Sequence, residues 1–249
     1  MRRWKCSTSR SFTIYWATKR AVNIGTYLMR FFCYFCYIYS GNWNSCAVVF
    51  ASNDYVLCRA SRSNKTIAAI HRLLWDDKDQ FYYYKQHEKF VRVPTPSGFA
   101  PLLLPGVSDA RVEAIIRHIN DPKKFASAVP LPTVALDYVT LACPASSTNM
   151  WRRPAWTNTN LFTIWGLRRY AHVPGALEAA AKLQEQTVEM VAKNYAQWGT
   201  TFEFYDSNGK VAPPYLERKG SRNSGGVRDY HWTAANTFYL LHNPNATLP

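Results

Sequence analysis

The feature that most constrains this chain is a helical rhythm that begins near residue 65 and recurs towards the C-terminus. "KTIAAIHRLLW" at 65–75 places Ile67, Ile70 and Leu74 three and four residues apart, the spacing of one helix face. Ser108 is suited to cap a helix through Asn120, with Val112, Ile115, Ile116 and Ile119 on one side. A third helix is expected over 159–171. A fourth starts at Pro174, carries Val188, Val191 and Tyr195, and stops at Gly199. A fifth covers 230–242 and ends before Pro244. Strand-like stretches are short: "FYYYK" at 81–85 and "FVRV" at 90–93, a candidate hairpin. The expected class is all-α, with long loops rich in Trp, Tyr, Asp and Arg between the helices.

Charge is unevenly spread. Of the net +14, residues 1–64 hold nine Lys/Arg against Asp54 alone, while the other 185 residues hold 21 Lys/Arg against 15 Asp/Glu. The larger part is too mildly basic to describe a nucleic-acid surface, so no nucleic-acid partner is expected. Five of the six cysteines lie before residue 60; Cys33 and Cys36 form a C-x-x-C with no second pair to complete a zinc site. Neither a metal nor a cofactor is expected. The apolar run at 21–39 is interrupted by Asn23 and Arg30, and only nine residues follow Arg30 without a break. A bilayer span needs about 20. A membrane segment is not expected; a cytoplasmic location is favoured, with an N-terminal signal anchor as the alternative.

Chemistry concentrates in four loops: "LWDDKDQFYYY" at 74–84, "WRRPAW" at 151–156, "TFEFYDSNG" at 201–209 and "NSGGVRDYHWTAA" at 223–235. Each joins aromatic rings to carboxylate, guanidinium or amide groups. Sugars are held by that mixture, because their C–H faces pack on rings while their hydroxyls need forked donors and acceptors. A single Trp beside an Asp is more often core next to a helix end. Four such clusters in one chain favour a binding site or an enzyme.

The order "LWDDKDQFYY", "PTPSGFAPL", "DPKKF" with "PLPTV", "WRRPAWTNTN", "FEFYD" and "DYHWTAA" resembles glycoside hydrolase family 63. That family contains processing α-glucosidase and mannosylglycerate hydrolase-like enzymes and is related to trehalases. The resemblance runs from about Ala47 to Leu241. It implies an (α/α)6 toroid, the six-hairpin glycosidase fold, whose loops form a sugar pocket at one end. Residues 1–46 then read as an atypical basic, aromatic- and Cys-rich segment, and 47–249 as a partial (α/α)6 domain. An incomplete barrel leaves apolar helix faces uncovered, so self-association is expected.

The resemblance also implies hydrolysis of α-glycosidic bonds in an oligosaccharide or glycoside by inversion. An acid protonates the leaving oxygen, and a base about 6.5–9.5 Å away activates water on the opposite face. The family's base maps onto Glu203 in "FEFYD", a lone carboxylate among Phe202, Phe204 and Tyr205. Trp75 and Asp76 belong to a stretch that lines the pocket region in relatives. Trp151, Trp156 and Trp232 are the expected sugar-facing rings, and Arg152 offers a planar fork for hydroxyls. Arg228 and His231 are expected at the pocket mouth. The family's acid is an Asp in a motif like S-G-W-D-x-S, where this chain reads "SGNWNSC" at 40–46, with Asn44 after Trp43. An amide does not donate a proton as an acid does, so the expected activity is impaired, and a non-catalytic, carbohydrate-binding remnant is the alternative. A second departure is Arg153, which stands where relatives have Gly in W-R-G-P. If that turn needs positive φ, the substitution costs about 1 kcal/mol or more.

Overall fold

The computed structural model describes residues 53–245 apart from 142, 220 and 222–224, together with 4–5 and 11–12; side chains are described from Ser63 onward. Asn44 and the cysteines before residue 60 lie outside the described residues or their described side chains. The chain divides into two compact units, Met1–Ala60 and Ser61–Pro249. In the first, β1 (Trp4–Lys5) pairs antiparallel with β2 (Ser11–Phe12).

The main regular elements of the remainder are helices. The described helices are α1 (Asn53–Leu73), α2 (Asp109–Asn120), α3 (Thr157–Arg169), α4 (Ala176–Trp198) and α5 (His231–His242). All five anticipated helices are present. Two small antiparallel pairs follow α1: β3 (Trp75–Asp76) with β4 (Phe81–Tyr82), and β5 (Tyr84–Gln86) with β6 (Lys89–Val91). The 81–85 stretch therefore splits between two pairs rather than forming one strand of a single hairpin. Among the described residues, no helix is long and apolar enough to cross a membrane.

Periodicity decides which faces are covered. On α2, Val112, Ile115, Ile116 and Ile119 are all buried, as their spacing requires. Ser108 is the N-cap residue of α2, although its hydroxyl makes no capping bond. Gly199 ends α4 in the left-handed region, φ 67°, and its amide closes on the Tyr195 carbonyl at 2.8 Å. Gly166 serves contact instead: a Cβ there would stand 2.6 Å from the Leu102 Cβ, so its absence lets α3 lie on the 3-10 segment Pro96–Leu103.

Side-chain pairs fix the directions of α3, α4 and α5. Thr157 meets Thr233 through their hydroxyls (3.2 Å), and the Trp165 indole N–H reaches the Tyr239 hydroxyl (3.3 Å), so α3 and α5 run parallel. Gln184 donates to the Leu240 carbonyl (2.7 Å) and also accepts from Arg168, whereas Thr187 accepts from Asn160 (2.9 Å). Thus α4 runs against both neighbours. The start of α3, the end of α4 and the start of α5 consequently share one end of the layer. Three of the four loops singled out by composition meet there.

Candidate active site

The corner before α3 is built by stacking and one pair of amide bonds. Trp151 stacks on Trp156 with ring centroids 4.0 Å apart and planes 10° from parallel. Trp156 is buried, donates its indole N–H to the Met150 carbonyl (2.8 Å), and packs on Phe204 at 5.4 Å; Tyr230 meets it edge-on at 6.4 Å. Trp151 keeps 49% of its surface exposed, so one ring is core and the other presents a face to solvent. Ala155 and Tyr205 exchange backbone hydrogen bonds at 2.7 and 3.0 Å, which ties "WRRPAW" to "FEFYD".

Arg153 answers the question posed by the missing glycine. Its φ is 114°, so the turn does occupy the region that favours glycine, at a cost of about 1–3 kcal/mol. The side chain is 1% exposed and turns inward. Its guanidinium donates to the carbonyls of Pro144 (3.1 Å), Ala135 (3.2 Å) and Tyr138 (2.8 Å), and its amide donates to the Thr133 hydroxyl (3.1 Å). Three carbonyl oxygens, rather than a carboxylate, receive this buried cation among the described residues. Arg152, its neighbour, points to the exposed side.

Glu203 sits where two segments clamp its own. Its amide donates to the Val227 carbonyl (3.0 Å), Phe202 bridges Arg228, and Tyr205 bridges Ala155. Phe202 joins Met190, Val191 and Tyr205 in one apolar cluster; Phe204 joins Trp156 and Leu216 in another. Glu203 lies between them, 5% exposed, with Oε2 accepting from Arg218 Nε at 2.9 Å. It is therefore not a surface glutamate on an alternating strand. The Tyr230 hydroxyl is held above the usual tyrosine pKa by burial and by the Glu203 charge, with Arg218 opposing. Burial also pushes the Tyr205 hydroxyl up to about 12, while that oxygen accepts the Phe202 amide at 3.1 Å. Asp206 accepts from the amides of Asn208, Lys210 and Val211, which makes it the organiser of the turn after Glu203.

A cavity of about 430 Å³ is lined by Arg152, Ser147, Asn149, Tyr215 and Glu217 among others. Glu203 is not one of its lining residues. The two features are joined by a single segment: Tyr215 and Glu217 line the cavity, Leu216 enters the core beside Trp156, and Arg218 holds Glu203.

Of the other anticipated residues, Trp232 (38% exposed) and His231 lie at the start of α5, with Tyr230 ring contacts at 6.0 and 5.7 Å. Arg228 is exposed, donates to the Trp198 carbonyl at the end of α4 (3.2 Å), and covers the Phe202 ring. Trp75 and Asp76 belong to a separate cluster. The Trp75 indole N–H donates to Asp77 (2.8 Å) and its ring lies under Arg111, while Asp76 accepts from the amides of Lys78 and Asp79 and from Arg92. Burial works to raise the Asp76 pKa, but those amides and the Arg92 guanidinium outweigh it and hold the carboxyl below the ordinary aspartate value. Asp229 does not cap α5: Tyr230 is the N-cap, and the Asp229 carboxylate takes the Thr200 hydroxyl at 2.6 Å. Arg218 and Tyr230 were not anticipated. Arg218 lies in "APPYLERKG", where neither period nor motif marks it, 15 residues from its partner.

The geometry thus offers a buried carboxylate with a cationic partner, a half-exposed tryptophan stack, and a cavity lined in part by the segment that carries that partner. Residues 56–233 match the family model described as the mannosylglycerate hydrolase MGH1-like glycoside hydrolase domain. A mannosylglycerate hydrolase of Rubrobacter radiotolerans is 27% identical over 133 residues, which cover 52% of this chain and 29% of that protein. A GH63 mannosylglycerate hydrolase from Thermus thermophilus, solved with Tris, has a TM-score of 0.57 at 21% identity, over 80% of this chain and 42% of that one. The neutral trehalase of Saccharomyces cerevisiae has a TM-score of 0.52 at 16% identity, over 76% of this chain and 30% of that one. The chain therefore spans less than half the length of these relatives, and its helices form part of an (α/α)6 six-hairpin fold. With the family model matching most of its length, the chain belongs to the mannosylglycerate hydrolase MGH1-like glycoside hydrolase family.

Proposed function

We propose that the chain carries the base side of an inverting α-glycosidase site. Glu203 activates the attacking water, and the Trp151–Trp156 stack with Arg152 and Trp232 forms the sugar-binding wall. The observation that carries this reading is the Glu203 carboxylate, buried between two apolar clusters and bound by one oxygen to Arg218. A carboxylate so held is fixed in direction, as a general base must be. In the reaction, Glu203 takes a proton from water as the water oxygen bonds to the anomeric carbon. The bond to the leaving group breaks with its electron pair, and the product has the opposite anomeric configuration. Mannosylglycerate, named in the Rubrobacter and Thermus relatives, is the first natural glycoside to test.

Asn44, standing where the resemblance places the acid, favours a second reading in which the chain binds carbohydrate without hydrolysing ordinary glycosides. One substrate pair separates the readings. An α-mannosyl fluoride needs no proton on its leaving group, whereas mannosylglycerate does. The expected outcome is fluoride release with a β-configured first product, seen by proton NMR, and little turnover of mannosylglycerate. Retention of the α configuration would remove the inverting assignment. Saturable binding without fluoride release would leave the binding reading in its place.

A further inference from the structure

We infer that Arg218 is a positioning residue for the carboxylate of Glu203, fixing it by Oε2 so that Oε1 is the oxygen left to meet a water. The inference rests on the reading of Glu203 as the base. Its observations are separate from that reading, and begin with the backbone on each side of the pair. The Glu203 amide is bound to the Val227 carbonyl, between two phenylalanines that are fully buried. The Arg218 amide and carbonyl are both bound to Ser221, at 3.2 and 3.0 Å, and the preceding Glu217 exchanges amide bonds with Thr148 and Met150 at 3.0 and 2.9 Å. Leu216, fully buried against Trp156 and Phe204, sets the facing of this short extended run. Arg218 thus reaches Glu203 from a segment secured on both sides. Neither partner needs to be ordered when a ligand arrives.

Exposure supports the same assignment. The Glu203 side chain is 6% exposed and that of Arg218 is 31%, so the pair runs from the interior to the edge of solvent. Arg218 Nε is the one cationic contact recorded for Glu203 among the described residues, and it engages a single carboxylate oxygen at 2.9 Å. A two-oxygen fork would occupy both oxygens of the base. Contact through Nε to one of them orients the group and leaves the second for chemistry. The Tyr230 hydroxyl feels the charge of both partners.

The test uses the full chain with α-mannosyl fluoride as the probe, measuring kcat, KM and the thermal midpoint for the wild type, Arg218→Ala, Arg218→Lys and Arg218→Gln. For Arg218→Ala, kcat should fall about 100-fold while KM stays within about threefold, the signature of an interaction used only as the transition state forms. Arg218→Lys should recover part of kcat, and Arg218→Gln, which keeps a polar stem without the charge, should recover less. If Arg218→Ala fails to fold, the order Arg above Lys above Gln in kcat, at matched thermal midpoints, carries the decision. Unchanged kcat in the folded variants overturns the inference and leaves Glu203 as the base. Loss that tracks the thermal midpoint overturns it too, since the residue is then only structural. A wild type that releases no fluoride overturns the base assignment, and this inference with it.

Discussion

Two clusters in this molecule share an inventory and differ in how they use it. Around Trp75 stand Asp76, Arg92 and Arg111; around Trp156 stand Glu203, Arg218 and the exposed Trp151. Both acids are nearly inaccessible, at 3% and 5%. Asp76 gives its oxygens to two amides of its own turn and to an arginine, and so binds its chain to itself. Among the described residues, Glu203 has one side-chain hydrogen-bond partner, on one oxygen. A carboxylate with both oxygens engaged by its own turn and an arginine builds a turn. One with an oxygen to spare is equipped for chemistry, and that difference is invisible in the residue types.

The sharpest way to break this comparison is to neutralise each acid. Glu203→Gln should lower the hydrolysis of α-mannosyl fluoride by about 10²–10⁴-fold, the usual contribution of a positioned base. Asp76→Asn should leave that rate near the wild-type value and instead lose about 1–3 kcal/mol in denaturant unfolding, because a buried hydrogen-bonding arrangement is left imperfect. Equal rate losses in the two variants would erase the distinction.

Next in size is the division of labour between the stacked rings. Trp156→Ala should cost about 3–5 kcal/mol in stability as a buried aromatic. Trp151→Ala should cost only about 0.5–1.5 kcal/mol for the stacking it loses. Calorimetric titration with mannose should nevertheless show the larger proportional loss for Trp151→Ala. Unchanged binding would make that ring ornamental to the site.

The smallest effect is a pH dependence confined to the Asp76 cluster. A folded aspartate held below its ordinary value contributes stability that is present above the unfolded pKa and lost as pH falls through the folded one. Arg92→Ala removes one of the groups holding it down. The thermal midpoint of that variant should trail the wild type at neutral pH, and the gap should close below about pH 4, near the unfolded value. Because the Arg92 side chain is 47% exposed, the gap is expected to be modest and to shrink in salt. A gap that widens on acidification would contradict the assignment.

Helices were readable because their evidence is local. The face of α2 and the stop at Gly199 are written in spacing and in one residue type. The order of the loop motifs was readable through family resemblance, which also pointed to Glu203, the residue proposed above as the base. What escaped was non-local. Nothing near Arg218 announces a partner 15 residues away, and nothing near Arg153 announces carbonyls contributed by Ala135, Tyr138 and Pro144. An Asp ahead of a helix is often its cap, but Asp229, at a positive φ of 54°, binds the Thr200 hydroxyl instead. Trp75 and Asp76 were grouped with the sugar wall by motif, while the fold gives them a turn and two arginines of their own.

Arg153 has a consequence for how this chain can change. Glycine there would ease the backbone but withdraw the donors from three carbonyls, of which that of Ala135 is buried, and lysine would bring an ammonium where three separate oxygens expect a planar fork. The segment around Ala135–Pro144 has become dependent on a residue at odds with its own φ. Glycine at this position would bring its full backbone benefit only if other donors were first supplied to the carbonyls of Ala135, Tyr138 and Pro144.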